Sequence, residues 1–324
     1  MEYTNLGRSG LSVSRLCLGT MNFGPETDES TSHEIMDLAL DNGINFFDTA
    51  NVYGWGENRG RTEQIIGNWF AKGGQRREKT VLATKVYGDM GSWPNQGRLS
   101  ALNIRRACDA SLARLKTDYI DLYQMHHIDR NTPWEEIWQA MEVLVTQGKI
   151  LYVGSSNFAG WHIAQAQASA HKRNFVGLIS EQSIYNLITR DIEREVIPAA
   201  KHYGLGIIPW SPLSGGLLGG VLDKQNKGGS RRFEGRSKQI LEQKHDQIKE
   251  YEDFCKKLGQ SPADVALSWI LAQDSVTAPI IGPRTKEQLQ GTLSVLDFKL
   301  DKDSLKALDS IFPGHRTAPE DYAW

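Results

Sequence analysis

Short apolar runs recur along the chain, and between them apolar residues return every three or four positions. The first pattern reads as strand and the second as amphipathic helix. Eight runs qualify as strands: 16–19, 45–48, 80–85, 119–126, 150–155, 177–182, 205–209 and 278–281. Helical patterns separate or follow them at 31–42, 61–72, 101–114, 134–147, 160–171, 190–202, 237–271 and 286–294. Ser100, Thr132-Pro133 and Ser261-Pro262 are capping signals at helix starts, and Gly43, Gly148 and Gly204 are stop signals. Eight strand–helix units predict an α/β fold, a (β/α)8 TIM barrel formed by residues 1–324 as one domain. Residues 3–14 read as an N-terminal β-hairpin at the barrel bottom. An open doubly wound sheet usually carries a G-x-G-x-x-G turn after its first strand. The glycines at 54–60 and 215–220 have other spacings, and the second group follows a late strand.

One stretch interrupts the rhythm. Residues 214–240 are rich in Gly, Lys, Arg, Asn and Gln, and read as a long loop after the seventh strand. On the C-terminal face of a barrel, such a loop is either a tolerated insertion or a strap over a bound cofactor, and the strap is the favoured reading.

Composition narrows the setting. Lys plus Arg number 37 against 39 Asp plus Glu, so bulk charge attracts neither nucleic acid nor an anionic membrane. Cys17, Cys108 and Cys255 are scattered, with no C-x-x-C pair to suggest a disulfide framework or a zinc site. The first residues lack a secretory pattern, and no apolar stretch reaches 18 residues. The expectation is a cytoplasmic protein with a small-molecule partner, with no nucleic acid and no membrane.

Four polar side chains stand at or just past the downstream ends of strand runs: Asp48, Tyr53, Lys85 and His126. Ligands bind at those ends in parallel α/β folds. Side chains at i and i+2 share a face, which aligns Phe46 with Asp48, Ala83 with Lys85, and Leu122 and Gln124 with His126. An ammonium at a buried mouth needs a counter-charge, and Asp48 is the natural one. A phenol beside that ammonium is expected to have a lowered pKa, making Tyr53 a general acid, with His126 orienting a carbonyl oxygen. His127 is a rival imidazole that alternation turns away from the axis. Taken singly, each residue has an ordinary structural reading, such as a strand-end cap or a packed aromatic. Their common placement is poorly explained that way.

Phe47-Asp48-Thr49-Ala50-x-x-Tyr53-Gly54, Thr84-Lys85 and Asp121-Leu122-Tyr123-x-x-His126 resemble the signature of the aldo-keto reductases. Gly154–Phe158, Glu181-Gln182, Trp210-Ser211-Pro212-Leu213 and Ile281–Thr285 extend the resemblance over about residues 3–310. The Trp-Ser-Pro-Leu form is most similar to the bacterial and potassium-channel-β-like branches.

The resemblance implies NADPH-dependent reduction of aldehydes or ketones, with Asp48, Tyr53, Lys85 and His126 catalytic and no metal. It implies that NADP(H) is held by Gly19, Thr20 and Met21, by Asp48, and by Ser156, Asn157 and Gln182 at the nicotinamide. Trp210 would face the nicotinamide ring. Ser211, Leu213 and Gly216 would follow the pyrophosphate. Gly282, Arg284 and Gln288 would hold the adenosine end, with Arg284 on the 2′-phosphate. Gly291 and Thr292 stand where many relatives have an acid and Asn, so part of the usual adenine grip is missing. Trp55 and Trp93 are expected in the substrate pocket, with Met90 and Trp134 on neighbouring loops. A regulatory subunit resembling channel β subunits, and a ketoreductase for nucleotide-linked sugars, are the alternatives. The first is disfavoured by His126, which such subunits often lack. A homo-oligomer is left open.

Overall fold

The computed structural model describes residues 1–226 and 235–324. It opens with an antiparallel hairpin, β1 (Tyr3–Asn5) and β2 (Ser12–Ser14). Parallel strands follow as β3 (Cys17–Gly19), β4 (Phe46–Asp48), β5 (Val81–Val86) and β6 (Ile120–Met125). The set is completed by β7 (Ile150–Ser156), β8 (Leu178–Gln182), β9 (Gly206–Ile207) and β10 (Ile280–Ile281). Their order is β10-β3-β4-β5-β6-β7-β8-β9. Hydrogen bonds then join the two ends. Ile207 N–H donates to the Ser275 carbonyl (3.1 Å), Thr277 N–H to that of Ile207 (2.8 Å), and Ile280 N–H to that of Pro209 (2.8 Å). The sheet is therefore a (β/α)8 barrel, as the alternation of elements implied.

Period-2 alternation divides the core into two layers. Cys17, Phe46, Ala83, Leu122, Ile179, Ile208 and Ala278 fill the barrel interior together with Leu6 and Val13 from the hairpin. The hairpin is thus a plug that supplies two interior side chains. Gly7 is left-handed (φ 57°), and a Cβ there would run into the backbone of Ile179, Gly204 and Gly206. Only glycine lets the plug seat this closely. Leu18, Phe47, Leu82, Tyr123 and Val153 point the other way, into the layer beneath the helices.

The expected helix over 237–271 is three helices, Gly235–Gln243, His245–Leu258 and Pro262–Leu271. Gly259 caps the second with φ 71°, and Ser261 accepts from Asp264 N–H (3.1 Å) with Pro262 at the first helical position, so the break has local causes. Ser100 caps Ala101–Leu115 as expected. Thr132 does not cap; its hydroxyl donates to Asp129 (2.9 Å), and Pro133 is the cap residue of Trp134–Thr146. A further helix, Lys302–Ile311, lies beyond the sequence expectation and is capped by Asp301.

Residues 227–234, the middle of the expected loop over 214–240, lie outside the described residues. The described flanks are more ordered than a loop. They hold a turn of 3-10 helix at Ser214–Gly216 and the helices Val221–Asn226 and Gly235–Gln243. Leu217 and Val221 pack against Ile248. Among the described residues no helix is long and apolar enough to cross a membrane.

Candidate active site

Asp48 ends β4, Lys85 lies near the end of β5, and His126 follows β6 directly. The neighbouring strands therefore bring the three to one mouth. Tyr53 reaches the same place through a tight turn, in which Tyr53 N–H donates to Ala50 (3.2 Å) and the Tyr53 carbonyl accepts from Gly60 (3.0 Å). Gly54 has φ 113°, and a Cβ there would collide with the Asn58 carbonyl. Lys85 is fully buried. Its ammonium donates to Asp48 Oδ2 (2.6 Å), the Thr49 carbonyl (2.8 Å) and Tyr53 OH (3.2 Å), which uses all three N–H bonds. The His126 ring stands edge-on to Tyr53, with centroids 6.0 Å apart.

The charges follow from this burial. Burial alone would lower the Lys85 pKa, but Asp48 and Tyr53 raise it above its usual 10.5, so the ammonium stays charged. His126 is lowered to about 2, by burial first and by Lys85 and His127 after it, and is a neutral imidazole at physiological pH. Tyr53 corrects an expectation. Burial pushes the phenol above its usual 10.0, Lys85 pulls it back less, and Asp48 adds to the rise. The Lys85 charge is already partnered by Asp48, which blunts its pull on the phenol. The Tyr53 hydroxyl accordingly keeps its proton near neutrality.

Two glutamines complete the Asp48 shell. Gln124 and Gln182 donate to Asp48 Oδ1 (3.0 and 2.8 Å), and Gln182 also donates to Gln124 Oε1 (3.3 Å). Gln182 reaches inward because β8 carries a bulge. Val153 pairs with Leu178, but Gly154 pairs with Ser180, so Ile179 is an extra residue. The bulge shifts the phase of the strand. Ile179 packs in the interior, Gln182 meets Asp48, and Glu181 turns outward to take hydrogen bonds from the Ser155 hydroxyl, the Ser183 hydroxyl (2.7 Å) and Phe158 N–H (3.0 Å). Burial raises the Glu181 pKa to about 7, with these three donors opposing.

Further candidates lie past the ends of β7 and β9. Trp210 Nε1 donates to Asn157 Oδ1 (3.0 Å), and Asn157 Nδ2 donates to the Ser156 hydroxyl (3.0 Å) and the His126 carbonyl (3.3 Å). Asn157, Ser211 and Ser214 are all left-handed, at φ 58°, 55° and 49°. Such residues carry local strain and concentrate at functional sites. Ser211 Oγ accepts from Gly215 N–H (3.2 Å), and the Leu213 carbonyl accepts from Gly216 N–H (2.9 Å), which makes a compact turn. The indole, amide, hydroxyl and small turn residues have the chemistry a nicotinamide dinucleotide requires. Thr20 donates from both N–H and hydroxyl to the Asp48 carbonyl (3.0 and 2.9 Å), Gly19 packs tightly on Ile280, and Met21 is half exposed. Farther out, Gly282 accepts from Asn22 (3.0 Å), Gln288 Oε1 accepts from Arg284 N–H (2.8 Å), and the Arg284 side chain pairs with Glu26. Trp55 lies against Tyr53 (5.6 Å between centroids). Trp93 does not join the cluster; it is 77 % exposed. Trp134 stacks on Trp138 and meets Phe158, so it is a packing residue.

The Aldo/keto reductase family profile matches residues 15–312. The chain belongs to that family. It is 59 % identical over 329 residues, covering all of both chains, to YrpG of Bacillus subtilis (strain 168), named an uncharacterized oxidoreductase. It is 34 % identical to versiconal hemiacetal acetate reductase of Aspergillus parasiticus, over 98 % of this chain and 100 % of that one. It is 31 % identical to a probable voltage-gated potassium channel subunit beta of Arabidopsis thaliana, over 99 % and 100 %. The family and the reductase relatives make this chain an oxidoreductase.

Several features of this aldo/keto reductase site escape a sequence reading. Alternation places Gln124 on the same face as His126, but not its hydrogen bond to Asp48. Nothing in 177–182 signals the bulge that exchanges Glu181 for Gln182. His127 is exposed, more so than His126. Its ring stacks on that of His126 (5.0 Å, 6° between planes) and meets Tyr87 edge-on (5.2 Å).

Proposed function

We propose that this protein reduces aldehydes or ketones to alcohols with NADPH, Tyr53 supplying the proton. The observation that carries the reading is the buried Lys85 ammonium, bonded at once to Asp48 and to the Tyr53 hydroxyl. The chemistry a reduced nicotinamide cofactor supplies when bound is hydride transfer to the carbonyl carbon. Ser156, Asn157, Gln182 and Trp210 are the residues suited to its nicotinamide end, and Arg284 to its 2′-phosphate. The neutral His126 ring donates a hydrogen bond to the carbonyl oxygen and fixes its direction. Tyr53 OH gives its proton to that oxygen as negative charge develops there. Lys85 stabilises the phenolate that remains, an interaction stronger in the transition state than before it. Asp48, held by Gln124 and Gln182, keeps Lys85 in place and charged. Trp55 forms one wall for the substrate beside Tyr53.

Tyr53→Phe keeps the ring and removes only the hydroxyl. Turnover of a simple aldehyde at saturating NADPH should fall by about 10²–10⁴-fold, while cofactor affinity measured by titration stays near wild type. Near-normal turnover in this variant rejects Tyr53 as the acid. The similarity to a probable channel β subunit favours one second reading, a cofactor-binding regulatory subunit. A wild-type protein that binds NADPH yet reduces nothing across a panel of aldehydes, ketones and keto-sugars would support that reading instead.

A further inference from the structure

Glu26 faces Arg284 where the loop after β3 meets the start of the helix Lys286–Leu293. Each carboxylate oxygen takes one side of the guanidinium fork, with Nε to Oε2 at 2.8 Å and Nη2 to Oε1 at 3.0 Å. Carboxylates and phosphates engage this fork in the same two-bond way. The loop that carries Glu26 is pinned. Glu26 N–H and Thr27 N–H both donate to the Asn22 carbonyl (3.0 Å each). Asn22 Nδ2 donates to the Gly282 carbonyl (3.0 Å), and the Thr27 hydroxyl to the Arg284 carbonyl (3.2 Å). The backbone therefore delivers the carboxylate to Arg284. The two side chains are nonetheless 45 % and 32 % exposed, so solvent can take over either partner and the pair opens at little cost. The next basic residue, Lys286, is engaged elsewhere, with Glu34 at 2.8 Å.

We propose that Glu26 is a cofactor-specificity residue that competes with the 2′-phosphate of NADP(H) for the Arg284 fork. The inference rests on the reading above in which Arg284 receives that phosphate. A cofactor with a 2′-phosphate must displace Glu26, whereas one with a free 2′-hydroxyl need not. Glu26 thus holds the preference for NADP(H) over NAD(H) below what Arg284 alone would give.

The test is isothermal titration of NADP⁺ and NAD⁺ into wild type, Glu26→Gln, Arg284→Ala and the double variant. Glu26→Gln should tighten NADP⁺ by about fivefold, the scale of an exposed ion pair, and leave NAD⁺ within about twofold. In the Arg284→Ala background the same substitution should have no effect on NADP⁺. Unchanged NADP⁺ affinity in Glu26→Gln, or equal tightening of both cofactors, overturns the competition while leaving the Arg284 reading intact. Arg284→Ala with wild-type NADP⁺ affinity overturns the Arg284 reading and the competition with it.

Discussion

Replacing Asp48 with Asn removes a charge and almost no volume, which isolates the ion pair at the centre of the site. At 2.6 Å from Lys85 Nζ, the lost attraction is about 6 kcal/mol at an effective dielectric of about 20. Lys85 relieves part of this by shedding its proton, and it keeps the Thr49 carbonyl and the Tyr53 hydroxyl as partners. Breaking a buried pair from one side is therefore expected to destabilise the fold by about 3–5 kcal/mol. Lys85→Met should cost less, because Asp48 retains donors from Gln124 and Gln182. The Asp48→Asn/Lys85→Met double variant should be more stable than the sum of the singles by about 1–3 kcal/mol, since it leaves no unpaired charge. Urea unfolding read by tryptophan fluorescence and by circular dichroism measures all four proteins, and coincident transitions license the free energies. The pair also has a pH signature. The folded Lys85 pKa lies above the unfolded 10.5, so its contribution is complete below 10.5 and is lost as pH rises through the folded value. Measured in a Tyr53→Phe background, which removes the phenol, this alkaline loss should vanish on Asp48→Asn. A cost below about 1 kcal/mol for Asp48→Asn, the scale of an exposed pair, refutes the reasoning.

Two other groups give pH tests. His126, at about 2 in the folded protein against 6.5 unfolded, stays neutral while the unfolded chain takes up a proton, so its contribution to stability is lost as pH falls below about 6.5. Its ring resonances should show no titration between pH 5 and 8, and a midpoint in that range would contradict a neutral carbonyl-orienting imidazole. Glu181 has the opposite sign: its folded value of about 7 exceeds the unfolded 4.5, so stability should fall as pH rises from 4.5 to 7 and then level off. Glu181→Gln should flatten that slope and gain at most about 3 kcal/mol at pH 8, and an unchanged slope would show that Glu181 is not its source.

How far the site can be read from sequence follows from the range of each signal. Asp48, Lys85 and His126 were legible because each closes an apolar run, and because adjacent parallel strands place those ends side by side. Tyr53 was legible only through its distance from Asp48 and the Gly54 that follows it. Gln182 owes its inward position to the one-residue bulge at Ile179, which no pattern in the strand announces. The direction of the Tyr53 pKa is not legible in the sequence, because spacing shows that a cation is near but neither how deeply the phenol is buried, which is the larger effect, nor that a carboxylate already partners the cation. Glu26 and Arg284 are 258 residues apart and meet only because the barrel closes β10 onto β3. The flanks of 214–240 read as loop from their glycines and charges, while Leu217 and Val221, which pack there, are too few to make a periodic signal.

The energetics of the mouth also bear on whether the protein is a catalyst or a cofactor-binding module. Asp48, Lys85, Gln124 and Gln182 are all buried, and each polar group has lost water to be there. Filling that space with apolar side chains of similar volume is often neutral or stabilising relative to a buried ion pair. A module that only had to hold a cofactor has no use for a charge directed at a phenol: Trp210, Asn157 and the turn at Ser211 lie on different strand ends from the pair, and Gln182, which does bond Asp48, needs only its carboxylate. A catalyst does gain, because the Lys85 charge acts on Tyr53 only when the phenol surrenders its proton. The Asp48→Asn/Lys85→Met variant separates the two cases on activity as well as stability. On the catalytic reading it recovers much of the fold's stability, yet turnover at saturating cofactor stays as low as in Lys85→Met. Recovery of turnover along with stability would mean that the pair serves the barrel rather than the reaction.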